Sequence, residues 1–384
     1  LKAVAPFVGG TTNRYRNFDG MDSGADTHEV GDLKLLKNTI DPGAYWQHVT
    51  VPVMFISSSN DQYGTLDRIY QSMDLLPHDH WRVSCNMHAQ HKPRAEQWVM
   101  LIQWFKQHLA GVEQNIPATP PSTFKIEDNT AHFSVTPTQQ ERLADVEIYY
   151  SYTPNQITRF WKKAEAIQEQ DSWKAKLPVH PKLPLYTFAL CRYSLPSEQR
   201  LERGSTETFT LNSYEHRHIP EDVDLTALAE LAKSGLIDDF SDGMANWGRA
   251  KSGFQTFKFQ DPELDTSPGN KLAITLNLKQ GQDLLLDLKA DSKYNAPDDN
   301  IGIFNHSRKI GGNGPHTILL EAKDFKKGKK GSKRRANDQG GTPLEWSKIS
   351  TFTLTLTDEK TKRTINPASP GGAGIIKRIE LVKP

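Results

Sequence analysis

The stretch that most constrains this chain is residues 51–91, VPVMFISSSNDQYGTLDRIYQSMDLLPHDHWRVSCNMHAQH. VPVMFIS (51–57) is a short uninterrupted apolar run, the kind of segment buried on both faces of a parallel sheet. SSND follows at once, a cluster of turn-forming residues that places Asp61 just past the strand's carboxyl end. Thr65 stands where a cap belongs, and Leu66, Ile69, Tyr70 and Met73 then recur at helical spacing. LLPHDH breaks that helix, WRVSCN (81–86) resumes as a strand, and His91 lies in the loop beyond it. An acid and an imidazole each follow the end of their own strand.

That placement has a chemical meaning. A nucleophilic hydroxyl becomes reactive beside a base, and a buried carboxylate fixes the tautomer of an imidazole base and stabilises its protonated form. Asp61 is the candidate carboxylate and His91 the candidate base. His88, nearer the strand end, is the alternative base. Taken singly, Asp61 reads as a turn cap and His91 as a surface residue; their shared position past strand ends favours the chemical reading. The H-x-x-H spacing of His88 and His91 in a loop lacks the fixed geometry of ligands at i and i+4 on a helix, so no metal is expected there.

Strand, Asp, helix, strand, His resembles the end of an α/β-hydrolase catalytic domain, where the acid and the His follow the nucleophile in chain order. The phrases ISSSND, MDLLPHDHWR and HAQHKP are similar to bacterial esterases of the acetylxylan esterase and dienelactone hydrolase-like group. The resemblance covers roughly residues 1–115. It implies a serine esterase in which Asp61 is the triad acid and His91 the base, and it favours a secreted or periplasmic setting. The opening LKAVAPFVGG resembles the strand that comes after the nucleophile and its helix in that group. The expectation is therefore a fragment whose amino-terminal half, with the serine, is absent, and which has no esterase activity alone. The chain itself carries no G-x-S-x-G. Its nearest approach is Asp22-Ser23-Gly24, where Met21 replaces the first Gly and no apolar strand leads in, so Ser23 reads as a loop serine.

Net charge excludes one class of partner. Lys plus Arg number 47 against 46 Asp plus Glu, a balance of +1 that argues against nucleic acid. The one basic run, KDFKKGKKGSKRRAND (323–338), reads as a solvated loop. No apolar stretch approaches the ~18 residues of a membrane helix. Two cysteines, Cys85 and Cys191, provide no disulfide framework. No pattern sets an oligomeric state.

After His91, RAEQWVMLIQWFKQHLAG (94–111) places Trp98, Leu101, Ile102, Phe105 and Leu109 on one helical face, with Gly111 as a stop. IPATPPS (116–122) is a stiff linker. The period then changes to two. STFKIED, AHFSVTP, DVEIYYSYT, SWKAKLPV and LPLYTFALCRYSL alternate between turns, which predicts an immunoglobulin-like sandwich over 116–218. Residues 219–235 read as a linker helix. From 236 to 384, runs at 271–278, 283–290, 300–306, 316–322, 350–358 and 375–382 predict a jelly roll resembling the galactose-binding-like fold of carbohydrate-binding modules. Trp247 and Trp346 are its candidate sugar-stacking residues, and Asp238, Asp239 and Asp242 its candidate ligands for a structural calcium.

The expected architecture is thus multidomain: part of an α/β-hydrolase (a parallel sheet with helices), followed by two all-β sandwich domains. Two functions compete. The first is a serine carboxylic ester hydrolase, acting without a cofactor on a small-molecule or polysaccharide ester. The second is a non-catalytic polysaccharide-binding module attached to a degenerate hydrolase domain.

Overall fold

The computed structural model describes residues 2–12, 32–202, 204–292, 302–328, 343–367 and 374–384. The chain forms two compact units, Leu1–Leu225 and Thr226–Pro384.

In the first unit, β1 (Val53–Ser58) and β2 (Trp81–Asn86) pair in parallel, from Val53 opposite Trp81 to Ser58 opposite Asn86. All six residues of β1 are buried, as a run without alternation requires. Between the strands lies α2 (Leu66–Met73), which buries Leu66, Ile69, Tyr70 and Met73. Thr65 occupies the N-cap with extended backbone, but its hydroxyl makes no cap bond.

The parallel α/β core expected here does not form. Parallel pairing of strands among the described residues is confined to β1 and β2, with isolated parallel bridges from Val4 and Phe7 to β1 and, in the second unit, from Ser234 to Leu264. The other sheets are antiparallel. The physical reason lies at the edge of β2. Cys85 donates its N–H to Asn212 Oδ1 at 3.2 Å, and its carbonyl accepts from Thr210 Oγ1 at 3.2 Å. Side chains of the distant strand β10 (Gly204–Asn212) therefore satisfy backbone groups that another strand would otherwise pair.

The helix α3 (Ala95–Leu109) follows, after α1 (Leu33–Thr39) and α2. Its buried residues are Gln97, Val99, Met100 and Trp104, not the expected stripe, of which Ile102 and Leu109 are exposed. Gln97 sets the rotation: its Oε1 accepts from Arg94 N–H at 3.1 Å and its Nε2 donates to Thr210 at 2.9 Å. Gly111 sits just beyond the helix at φ +66.

Residues 122–218 build two antiparallel sheets. One has four strands, ordered β3 (Ser122–Glu127), β4 (Thr130–Val135), β8 (Ser172–Pro178), β7 (Ile167–Glu169). The other has five, with β10, β9 (Leu185–Leu201), β5 (Leu143–Ser151) and β6 (Lys162–Lys163) in that order and β11 (His216–His218) also on β9. Strand β9 is buried continuously from Leu185 to Cys191 because both its faces are covered. Tyr186, Phe188 and Leu190 pack in one core with Phe55 and Val83 of the parallel pair and Tyr70 of α2. The segments expected as separate domains at 1–115 and 116–218 share that core.

The described strands of the second unit form one nine-stranded antiparallel sheet. Its axis is β12 (Lys271–Asp291), a 21-residue strand paired along its length with β13 (Ile303–Leu320). The expected strands 271–278 and 283–290 are one strand interrupted by a register shift between Leu278 and Gln282, where Gly281 takes φ +70. A jelly roll of short strands is replaced by a sheet organised on two long ones. The expected linker helix at 219–235 is reduced to a short 3-10 turn, Leu225–Ala229.

Candidate active site

The parallel register brings the ends of β1 and β2 side by side, so the turns that follow them meet. Ser59 N–H donates to Asn86 O at 2.9 Å and Asn60 N–H to Ala89 O at 3.1 Å. Asp61 follows, with no exposed surface. Its Oδ1 accepts from Tyr63 N–H and Gly64 N–H, both at 2.8 Å. Gly64 is required there: a Cβ would lie 2.8 Å from Gly9 N and 2.9 Å from Val8 C. The remaining capacity of the carboxylate faces His91, whose Nδ1 is 3.0 Å from Oδ2 and 3.2 Å from Oδ1.

Geometry sets the proton positions. An ionised carboxylate only accepts, so Nδ1 carries the hydrogen and Nε2 is left with its lone pair. The His91 side chain is 43% exposed while Asp61 is completely enclosed. Tyr63 stands edge-on to the imidazole, ring centres 5.1 Å apart, and is itself exposed. The arrangement has the geometry that a general base and its orienting acid require. Among the described residues no hydroxyl hydrogen-bonds to His91. Ser23 lies outside the described residues.

His88 occupies a different position from the one an alternative base needs. It is fully buried at φ +49, its ring stacked on Phe160 at 5.1 Å and edge-on to Tyr149 at 6.3 Å. It belongs to the packing under the site.

Behind the acid lies a second charged group that sequence reasoning missed. Asp67, near the start of α2, pairs with Arg159, and both are buried. The Arg159 guanidinium also lies 3.8 Å over the ring of Tyr186; burial lowers its pKa, but Asp67, Tyr186 and Glu215 together hold it above the ordinary value. Glu215 is enclosed beside them, and burial pushes its carboxyl up to about 8. The partners of Asp67 stand 92 and more positions away in the chain, which hides the pair from sequence reasoning.

The sugar and calcium candidates are corrected. Trp247 and Trp346 are 6% and 3% exposed. Trp247 Nε1 donates to Asp238 Oδ2 at 2.7 Å, and Trp346 Nε1 to Asn270 O at 2.8 Å. Both indoles are core members with satisfied N–H groups and offer no stacking surface. Asp238 also accepts from Phe240 N–H and Asn246, and Asp239 from Ser241. Among the described residues no group of three or more His, Cys, Asp or Glu is placed to hold a metal ion, Asp238, Asp239 and Asp242 included. Of the basic run at 323–338, residues from 329 onward lie outside the described residues. No described helix is long and apolar enough to cross a membrane.

Residues 12–160 match the model of the PhoPQ-activated pathogenicity-related protein family. That match replaces the expected resemblance to acetylxylan esterases and dienelactone hydrolases, and the sheet topology gives no α/β-hydrolase core to support it. No curated protein matches the chain. Solved structures similar to it include two of carbohydrate-binding modules. One, titled for the promiscuous specificity of carbohydrate-binding modules from the β-sandwich superfamily, is 8% identical, covering 71% of this chain and all of that one, at a TM-score of 0.18. The other is the N-terminal CBM22-1-CBM22-2 tandem domain from Paenibacillus barcinonensis Xyn10C, 12% identical, covering 68% of this chain and 83% of that one, at 0.17. Scores this low carry no argument about fold or ligand, and the galactose-binding-like and immunoglobulin-like assignments are not retained.

Proposed function

We propose that this chain supplies the acid and base of a hydrolytic acyl-transfer site, an ester hydrolase whose substrate is an acylated small molecule or polysaccharide. The observation that supports this reading is the enclosed Asp61 carboxylate 3.0 Å from Nδ1 of a partly exposed His91. Asp61 keeps the proton on Nδ1, so Nε2 takes the proton of an attacking hydroxyl and the imidazolium forms against the carboxylate. The same proton then passes to the leaving alcohol. The nucleophile comes from outside the described residues, and no cofactor enters.

A second reading is polysaccharide binding without catalysis, with Asp61 and His91 only pinning two loops. That no hydroxyl hydrogen-bonds to His91 among the described residues favours it. One experiment separates the two. The product of the whole reading frame is assayed with p-nitrophenyl acetate and a fluorophosphonate probe. The first reading expects it to turn over substrate and take the label, and both to be lost with His91→Gln. If it is inert, the non-catalytic reading replaces the first.

A further inference from the structure

Asn60, the residue before the candidate acid, has no exposed surface and uses its whole side chain. Its Oδ1 accepts from Ser59 Oγ at 2.8 Å, and Ser59 Oγ in turn accepts from the His88 N–H at 2.8 Å. Its Nδ2 donates to Arg159 O at 2.7 Å and to Ile157 O at 3.3 Å. One amide therefore joins the turn bearing Asp61, the loop bearing His91, and the segment 153–161 that links β5 to β6.

That segment is unusual. It has no helix or strand until its end, yet all but Asn155 among its residues are buried. An irregular loop buried to this extent must have its backbone groups bonded from elsewhere. Here the site provides them: Asn60 bonds two of its carbonyls. Arg159, anchored on Asp67, bonds two more, Thr153 O at 2.6 Å and Pro154 O at 3.0 Å. Phe160 of the same loop stacks on His88, three residues before the base.

We propose that Asn60 is a positioning residue which makes the 153–161 loop a working part of the Asp61–His91 site. The proposal rests on the acid–base reading given above. Its physical content is that the Asp61 turn and the His91 loop are held in register by one amide braced on a third element. Loosening that brace lets the two turns separate, and the Asp61–His91 hydrogen bond opens more often.

The readout is the His91 Nδ1–H resonance in the full chain, identified among the 13 histidines by its disappearance in His91→Gln. Its exchange with water counts openings of the bond to Asp61. Asn60→Ser is expected to raise that exchange about tenfold, an opening free energy lowered by about 1.4 kcal/mol. Phe160→Leu, which loosens the loop from its other side and keeps an apolar side chain, is expected to raise it in the same direction. This second variant carries the test if Asn60→Ser does not fold. Asp61→Asn is the reference and should abolish the protected resonance. If Asp61→Asn abolishes it and the loop variants leave exchange unchanged, Asn60 is merely structural and the proposal is overturned while the acid–base reading stands. If Asp61→Asn leaves the resonance protected, the acid–base reading itself fails and the proposal falls with it.

Discussion

Arg159 reaches both oxygens of Asp67, Nη1 to Oδ1 at 2.7 Å and Nη2 to Oδ2 at 3.1 Å, in a pair with almost no exposure on either side. Two charges taken out of water recover the loss only while each has the other. Asp67→Asn is therefore expected to cost about 3–5 kcal/mol, because it leaves the guanidinium enclosed without its counter-charge. The double variant Asp67→Leu with Arg159→Met should regain part of that loss. It cannot regain all, since Thr153 O and Pro154 O lose their donors. Urea denaturation of the three variants measures this, and a double variant no better than Asp67→Asn would count against it.

Glu215 gives the pair a pH dependence. Burial and then the Asp67 charge raise its carboxyl to about 8, against the opposing pull of Arg217 and Arg159. Ionised, its two oxygens have no donor; protonated, its O–H has the Asp67 carboxylate as acceptor. An unfolded Glu titrates near ~4.3, so between there and about 8 the folded chain holds a proton that the unfolded chain has released. Stability from this group is complete below that window and falls as pH rises through it, by at most about 1.4 kcal/mol per pH unit. Glu215→Gln should flatten the fall. Identical stability–pH curves for parent and variant would refute the assignment.

The sequence reading and the structure part company for identifiable reasons. The meeting of the Asp61 and His91 turns was legible because both follow the carboxyl ends of apolar runs, and such ends become neighbours when the runs pair in parallel. What closes the edge of β2 was not legible, since Thr210 and Asn212 lie more than a hundred residues away and look like ordinary strand residues. Asn60 read as turn chemistry for the same reason: its acceptors are carbonyls 97 and 99 positions on. In the second unit, alternation located the strands. It did not reveal that Gly281 carries two of them through as one, or that the tryptophans face inward.

The inward tryptophans make a prediction against sugar stacking. Trp247→Phe keeps the ring stacked on Phe240 but removes the N–H that Asp238 Oδ2 accepts. The loss should be about 1–3 kcal/mol, the cost of leaving a buried acceptor short of a donor. Any affinity of the full chain for xylan should be unchanged in a pull-down at a temperature where both proteins are folded. Lost binding with undiminished stability would return Trp247 to the surface of a sugar site.

The two neighbouring histidines supply the last test, because stability and chemistry should separate between them. His88 fills a fully enclosed space against Phe160 and Tyr149, so His88→Ala removes packed volume and should cost about 2–5 kcal/mol, in the range of large core truncations. Its positive φ adds a second signature: His88→Gly is freed of backbone strain and should lose no more than His88→Ala despite being smaller. His91 is partly exposed and, among the described residues, hydrogen-bonds its ring only through Nδ1, so His91→Ala should change stability by about 1 kcal/mol or less. The order reverses for chemistry. For hydrolysis by the product of the whole reading frame, the proposed acid–base reading expects His91→Ala to remove nearly all of kcat, and His88→Ala, assayed well below its lowered melting temperature, to keep most of it. Denaturation curves and initial rates on the same preparations decide the matter. If His91→Ala is the more damaging to stability, or His88→Ala to kcat, the base has been assigned to the wrong ring.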